Sequence, residues 1–177
     1  MQTTDELQQL ASRIRLAVFD VDGVLTDGSL YLGENGNEYK AFNVKDGHGM
    51  VMLRESGCYL AVITSRSSTI VAERMRSLGI EHVYQGQNDK RVALLDLSNK
   101  LEIEPGDILY VGDDVIDLPA MRRVGFPVAV ADAHPLVKEN ALAVTEAIGG
   151  RGAVREVCEF ILAAQGKLQA KLDQYLE

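Results

Sequence analysis

The sequence predicts an α/β fold with a doubly wound, mostly parallel sheet, and three observations carry that prediction. Six apolar runs, each five to seven residues long, alternate with segments of helical pattern, as repeated βα units require. Acidic or hydroxyl residues follow several of these runs, at the strand ends where such sheets bind ligands. One segment, residues 28–44, breaks the alternation and has the pattern of a β-hairpin.

The elements follow in chain order. The predicted strands are the apolar runs 14–20, 59–64, 82–86, 108–113, 127–131 and 141–145. The predicted helices are 47–56, 67–78, 89–100, 118–124 and 135–140. In the hairpin, Asn35-Gly36 is a strong turn signal between two alternating stretches. A long helical pattern follows the glycine-rich "GGRG" at 149–152, and no repeat or linker divides the chain, so we expect one domain over 1–177.

The composition limits the kinds of binding partner and the cellular compartment that we expect. The formal net charge of −8 argues against a nucleic-acid or anionic-membrane surface, because both require a basic footprint. Cys58 and Cys158 are far apart and predict buried, reduced thiols. The N-terminus has no apolar core of a signal peptide, and no apolar run reaches the length of a membrane span. We therefore expect a cytoplasmic protein.

The stretch "FDVDGVLTDG" at 19–28 places three carboxylates directly after an apolar run. A single Asp there is typical of a turn or a helix cap, but Asp20, Asp22 and Asp113 all end predicted strands. Thr64 ends another strand and Lys90 begins a helix. Carboxylates bind Mg²⁺ and can attack phosphorus, whereas a hydroxyl and an ammonium stabilise phosphoryl oxygens. The combination predicts phosphoryl transfer.

These segments, with "VITSR" at 62–66 and "VGDDVIDLPAM" at 111–121, resemble the four motifs, in order, of the haloacid dehalogenase-like phosphohydrolases. The resemblance implies that Asp20 is the nucleophile, forming an aspartyl-phosphate. It implies that Asp22 is the general acid and then the base for water. Mg²⁺, with Mn²⁺ and Co²⁺ as alternatives, is then expected on the carboxylates of Asp20 and Asp113 and the backbone carbonyl of Asp22.

The same resemblance assigns supporting roles. Thr64 and Lys90 are expected to hold the phosphoryl group, and Asp114 and Asp117 to order metal-bound water, Lys90 or the nearby loop. Asp27 has no catalytic role in this scheme and is expected to cap or brace the exit to the hairpin.

Neither usual position of a cap domain has room for one, so the chain is expected to be capless. "FNVKDGHGM", "VYQGQNDK", "AVADAHP" and "GGRGAVREVCEFIL" resemble capless tetrameric members of the family that act on sugar-acid phosphates. The substrate implied is 3-deoxy-D-manno-octulosonate 8-phosphate, a lipopolysaccharide precursor. The resemblance also implies a homotetramer with its hairpins at the centre and a C-terminal segment that reaches a neighbour's site.

The phosphate ester of a sugar acid has a carboxylate as well as a phosphate, and an arginine guanidinium can bind the carboxylate with two hydrogen bonds. The residues expected to bind it lie in the loop after the hairpin and in three arginines: Asn43, Val44, Lys45, Asp46, Gly47, Arg66, Arg74 and Arg151. Arg151 is alternatively part of a hinge before the last helix. Some relatives have an arginine where this chain has Val51, and His48 is the nearest polar candidate to compensate.

Three other interpretations remain. One is a phosphatase for a nine-carbon sugar-acid 9-phosphate. Another is a signalling receiver domain, which the two-residue spacing of Asp20 and Asp22 disfavours. The last is a catalytically silent sugar-binding subunit, which is disfavoured because each motif position is intact.

Overall fold

The computed structural model describes residues 4–176. Its strands are β1 (Leu16–Phe19), β2 (Tyr31–Leu32), β3 (Glu38–Tyr39), β4 (Tyr59–Ile63), β5 (His82–Tyr84), β6 (Ile108–Gly112), β7 (Phe126–Ala129) and β8 (Ala143–Val144). Its helices are α1 (Asp5–Ser12), α2 (Val44–Glu55), α3 (Thr69–Ser77), α4 (Lys90–Leu101), α5 (Leu118–Met121), α6 (Pro135–Glu139), α7 (Ala153–Ala164) and α8 (Leu168–Asp173).

Six strands form one parallel sheet in the order β5-β4-β1-β6-β7-β8, which confirms the predicted fold class. Without the hairpin strands, this is the doubly wound order 3-2-1-4-5-6. The central strands β1 and β6 are buried along their whole length, as expected for a sheet covered on both faces. The order reverses between β1 and β6, and ligands bind at such a switch point, beside the carboxyl ends of the strands.

The predicted hairpin is confirmed but is short. Tyr31 pairs with Tyr39 across β2 and β3, and a 3-10 turn over Glu34–Gly36 joins the two strands. Asn35 and Gly36 both have positive φ, 65° and 78°, as the Asn-Gly signal predicts.

The prediction of a loop at residues 43–47 is wrong, because α2 begins at Val44. The Asn43 side chain accepts a hydrogen bond from the Lys45 backbone N–H at 2.8 Å and so caps the helix. Gly47 and Gly49 lie inside this helix because neighbours approach closely. A Cβ at Gly47 would be 2.3 Å from Arg74 Nη2, and one at Gly49 would be 3.1 Å from Arg155 Cα in α7.

The long C-terminal helix is also interrupted. Gly166 has φ +67°, and the Lys167 N–H donates back to the Leu162 carbonyl at 2.8 Å, a Schellman-type helix end. Beyond it, α8 lies on its own chain's α2, where Lys171 pairs with Glu55 at 3.2 Å. Helix α1 was not predicted. Among residues 4–176, no helix has both the length and the apolar character of a membrane span.

Candidate active site

A cleft of about 170 Å³ opens at the carboxyl ends of β1, β4 and β6. It is lined by Asp20, Asp22, Thr64, Ser65, Arg66, Lys90, Asp113, Asp114 and Ile116. The structure therefore brings together the residues that the sequence assigned to phosphoryl transfer, although they come from four separate segments of the chain.

Lys90 is the cation at the floor of this cleft. It is the first residue of α4, whose N-terminus is capped by Asp89, and only 1% of it is exposed. Its ammonium lies 2.8 Å from Asp20 Oδ1 and 2.6 Å from Asp117 Oδ1. Burial by itself would lower the pKa of Lys90, but the charges of Asp117 and Asp20 outweigh burial and raise it. Lys90 is therefore a fixed positive charge beside Asp20.

Asp117 fixes the position of Lys90 and is itself held by hydrogen bonds from the protein. Its Oδ1 accepts from Lys90 and from the Tyr110 hydroxyl at 2.9 Å, and its Oδ2 accepts from the backbone N–H of Asp113 at 3.0 Å. Burial, followed by the charge of Asp117, raises the pKa of Tyr110 well above its usual range, so the phenol stays a donor. The Asp117 carboxylate is thus occupied by protein donors.

Asp113 differs from Asp117 in this respect. Its Oδ1 is buried and has no hydrogen-bond partner among the described residues. A buried carboxylate oxygen without a partner is costly unless a ligand satisfies it. One carboxylate oxygen from each of Asp20, Asp113 and Asp117 lies within 4.8 Å of the others, a group that could hold a metal ion. Because Asp117 is occupied, Asp20 and Asp113 are the carboxylates that suit a hard divalent cation.

The electrostatics point the same way. Burial, and then the charge of Asp117, raises the pKa of Asp20 from 3.8 to about 7 despite Lys90. Burial and the charges of Asp117 and Asp20 raise the pKa of Asp113 to about 8. The buried carboxylates of Asp20 and Asp117 and the partly buried carboxylate of Asp113 face the Lys90 ammonium, so a divalent cation would restore charge balance and favour ionised Asp20.

The close approach of the β1 loop to Asp113 requires glycine. Gly23 has φ +91°, and a Cβ there would lie 2.0 Å from Asp113 Oδ2. The glycine of "DVDGV" therefore lets the loop that carries Asp22 lie directly against the Asp113 carboxylate.

The predicted sugar-acid residues mostly lie outside this cleft. Arg66 lines it, but Arg74 packs over the Phe42 ring at 6.0 Å and above Gly47. Val44 and Lys45 are exposed on α2. Arg151 is exposed and pairs with Asp27 at 3.2 Å. Asp27 also accepts a hydrogen bond from the Ser29 backbone N–H at 3.1 Å, at the exit to the hairpin where a cap was expected.

Asp46 has a different environment from the one predicted. It is buried, and its carboxylate accepts from the backbone N–H groups of Gly152 at 3.1 Å and Arg155 at 2.8 Å. It thereby ties α2 to the first turn of α7. Val51 packs against the core, and the centroids of the His48 and Tyr175 rings lie 5.4 Å apart.

Sequence reasoning missed Glu38, Lys40 and Tyr110. Lys40 comes from the hairpin, has a side chain only 1% exposed, and bonds to Asp22. The alternation Glu38-Tyr39-Lys40 was the available signal, since it places the two charges on one face of the strand. Tyr110 could not be distinguished from an ordinary core aromatic residue.

Comparison with known proteins agrees with this geometry. Residues 77–155, which carry Lys90, Asp113 and Asp117, match the family described as haloacid dehalogenase-like hydrolase. This is the class of protein that the sheet order and the carboxylates at its switch point define.

The relatives are more specific. The chain is 55% identical over 158 residues to 3-deoxy-D-manno-octulosonate 8-phosphate phosphatase of Escherichia coli K12, covering 89% of this chain and 84% of that protein. The crystal structure of the phosphatase of that name from Yersinia pestis superposes with a TM-score of 0.93 at 51% identity, covering 94% of this chain and 90% of the other. The chain belongs to the family of these 3-deoxy-D-manno-octulosonate 8-phosphate phosphatases.

Two further structures contain metal ions. The Moraxella catarrhalis phosphatase, in complex with magnesium, phosphate and 3-deoxy-D-manno-octulosonate, has a TM-score of 0.95 at 44% identity, covering 98% of this chain and 99% of the other. The cobalt-bound Haemophilus influenzae phosphatase has a TM-score of 0.91 at 38% identity, covering 96% of this chain and 100% of the other.

Proposed function

We propose that this protein is a Mg²⁺-dependent phosphatase that hydrolyses 3-deoxy-D-manno-octulosonate 8-phosphate to the free sugar acid and phosphate, supplying lipopolysaccharide synthesis. The observation that carries the proposal is the pair formed by buried Asp20 and partly buried Asp113 at the switch point, where the buried Oδ1 of Asp113 has no hydrogen-bond partner among residues 4–176. The magnesium, phosphate and sugar acid in the Moraxella relative support it.

Asp20, Asp113 and the backbone carbonyl of Asp22 would hold Mg²⁺, with Co²⁺ and Mn²⁺ as alternatives. The ion supplies positive charge that offsets the carboxylates and the phosphate oxygens. Asp117, whose carboxylate is occupied by Lys90, Tyr110 and backbone groups, positions Lys90 rather than the metal. Asp114 lines the cleft and would order water.

Asp20 attacks phosphorus and forms an aspartyl-phosphate, while Asp22 gives its proton to the departing sugar oxygen. Asp22 then removes a proton from the water that cleaves the aspartyl-phosphate. Thr64 and Lys90 line the same cleft and hold the phosphoryl oxygens, where their dipole and charge stabilise the transition state.

Arg66 is the residue best placed to bind the sugar-acid carboxylate, because it lines the cleft and 45% of its side chain is exposed. Arg74, with Asn43, Val44, Lys45 and Gly47 at the start of α2, would form the outer wall. We do not place Asp46 there, because α7 occupies its carboxylate. Arg151 would contact the sugar acid at the rim of an active site.

We further propose a cytoplasmic homotetramer of this single domain. Leu30, Tyr31, Leu32 and Tyr39 of the hairpin are 46–74% exposed, an apolar surface suited to packing against copies of itself. Free, buried cysteines fit a reducing compartment. A Leu32→Asp variant should lose tetramer mass in analytical ultracentrifugation, and an unchanged sedimentation coefficient would contradict the hairpin contact.

Phosphate release across a substrate panel tests the activity. The panel contains the octulosonate 8-phosphate, a nonulosonate 9-phosphate, a hexose 6-phosphate and p-nitrophenyl phosphate, each assayed with Mg²⁺, Mn²⁺ or Co²⁺. We expect the octulosonate to have the highest kcat/KM by a wide margin, and Asp20→Asn to be inactive with every substrate. Equal, weak rates on all four would refute the substrate, and a metal-independent rate would refute the mechanism.

A further inference from the structure

The hairpin contributes charged side chains to the cleft as well as a candidate subunit contact. Glu38 begins β3 and Lys40 directly follows it, two residues further on, and the two side chains lie on the same side of the hairpin, 3.1 Å apart. Tyr39 between them pairs with Tyr31 and is 60% exposed. One side of this strand therefore carries aromatic rings to the surface and the other carries charges towards Asp22.

Four charges form a closed ring with alternating signs. The Lys40 ammonium bonds to Asp22 Oδ1 and lies 3.1 Å from Glu38 Oε1. Arg66 Nη2 lies 2.8 Å from Glu38 Oε2, and Arg66 Nε lies 3.8 Å from Asp22 Oδ2. The Lys40 side chain is 1% exposed, whereas those of Asp22 and Glu38 are 21% exposed.

The two oxygens of Asp22 are therefore unequal. Lys40 donates a hydrogen bond to Oδ1, whereas the distance from Oδ2 to Arg66 Nε exceeds hydrogen-bonding range. Glu38 shares the ammonium and partly offsets its positive charge. What Lys40 provides to Asp22 is a fixed direction, with Oδ2 left available to a substrate in the cleft that Asp22 lines.

We infer that Lys40 is a positioning residue for proton transfer by Asp22, holding Oδ1 so that Oδ2 delivers the proton to the leaving oxygen. The inference rests on the proposed function and adds a residue to its first step. In that step a bond forms between Asp20 and phosphorus, and the bond from phosphorus to the sugar oxygen breaks. Its electron pair stays on that oxygen, which takes the proton from Asp22 and leaves as an alcohol.

The dependence on the leaving group tests this role. A sugar alkoxide needs the proton, whereas p-nitrophenolate departs without one, so only the sugar ester depends on a well-placed acid. For Lys40→Met we expect kcat/KM to fall at least about tenfold on the octulosonate 8-phosphate and to change by less than about twofold on p-nitrophenyl phosphate. The ratio kcat/KM is the correct quantity, because it excludes the later hydrolysis of the aspartyl-phosphate.

A double-mutant cycle separates positioning from general damage. If Lys40 acts through Asp22, Lys40→Met should cause no further loss on the sugar ester in an Asp22→Asn background. Lys40→Arg should restore part of the sugar-ester rate. Glu38→Gln, which keeps Lys40, serves if Lys40→Met fails to fold and should show a smaller loss with the same leaving-group pattern. Lys100→Met, at an exposed lysine on α4, is the matched control.

Three outcomes would overturn the inference. They are equal losses on both esters, an additive loss in the Asp22→Asn background, and an unchanged sugar-ester rate in a folded Lys40→Met protein. If instead the wild-type protein releases phosphate from neither ester, it is the proposed function that fails, and the two failures are therefore distinguishable.

Discussion

Without metal, the stability of this protein should fall as pH rises, because the carboxylates of Asp20, Asp113 and Asp117 lie close together in a largely buried cluster. In the unfolded chain Asp20 titrates near 3.8, whereas in the folded, metal-free protein its pKa is about 7. The folded state then binds more protons between these values. The stabilisation is complete below pH 3.8 and is lost as pH rises through about 7.

The size of the effect follows from that window. Between pH 5 and pH 7 the loss amounts to about 3 kcal/mol, at roughly 1.4 kcal/mol per pH unit. Asp113 titrates near 8 in the same cluster, so it also keeps its proton in the folded state over this range and its loss adds to that of Asp20. For a chain of this length, the Asp20 contribution of about 3 kcal/mol alone corresponds to a decrease in Tm of roughly 6–12 °C, so we expect a decrease of at least that size between pH 5 and pH 8.

The assay is thermal unfolding in EDTA or in saturating Mg²⁺ at pH 5 and pH 8. Mg²⁺ should bind the ionised carboxylates and raise Tm more at pH 8 than at pH 5, because less proton release opposes binding there. Asp113→Asn is the matched variant and should reduce both the pH slope and the response to Mg²⁺. A metal-free Tm that does not fall between pH 5 and pH 8, or an Mg²⁺ shift equal at the two pH values, would refute this account of the cluster.

Three further predictions concern single features. Gly23→Ala should destabilise the folded protein by more than about 2 kcal/mol and weaken the Mg²⁺ response, since its Cβ would meet Asp113. The control is Gly57→Ala, at φ +96° with open space around it, which should cost only about 1–2 kcal/mol. Equal losses of stability in urea unfolding would show that the space around the Cβ is unimportant. Asp20→Asn should abolish phosphate release yet keep the wild-type circular dichroism spectrum; measurable turnover would remove the nucleophile assignment. Truncation after Gly166 removes α8 and its ion pair with Glu55; if this segment also reaches a neighbour's site, KM should rise by severalfold, whereas unchanged kinetics would leave it as packing on α2.

The composition of the strands explains why the fold was predictable. Apolar runs such as "LAVF" and "ILYV" are typical of strands in a parallel sheet that helices cover on both faces. The strand ends then necessarily share one edge, so Asp20, Thr64 and Asp113 could be grouped without coordinates. Element boundaries were less predictable, because Asn43 and Gly166 act through local hydrogen bonds that hydrophobic periodicity does not record.

Within the site, the sequence alone was enough to predict which residues are suited to phosphoryl-transfer chemistry, since their types and their positions at strand ends are local properties. Only the tertiary structure decided how they are partnered. The Asp117 carboxylate bonds to Lys90 and Tyr110, and Asp46 bonds to α7. Lys40 of the hairpin bonds to Asp22, and Asp113 Oδ1 has no hydrogen-bond partner within residues 4–176. These contacts join segments far apart in the chain, and the charge and hydrogen-bonding state of a buried carboxylate depends on such neighbours rather than on its place in the sequence.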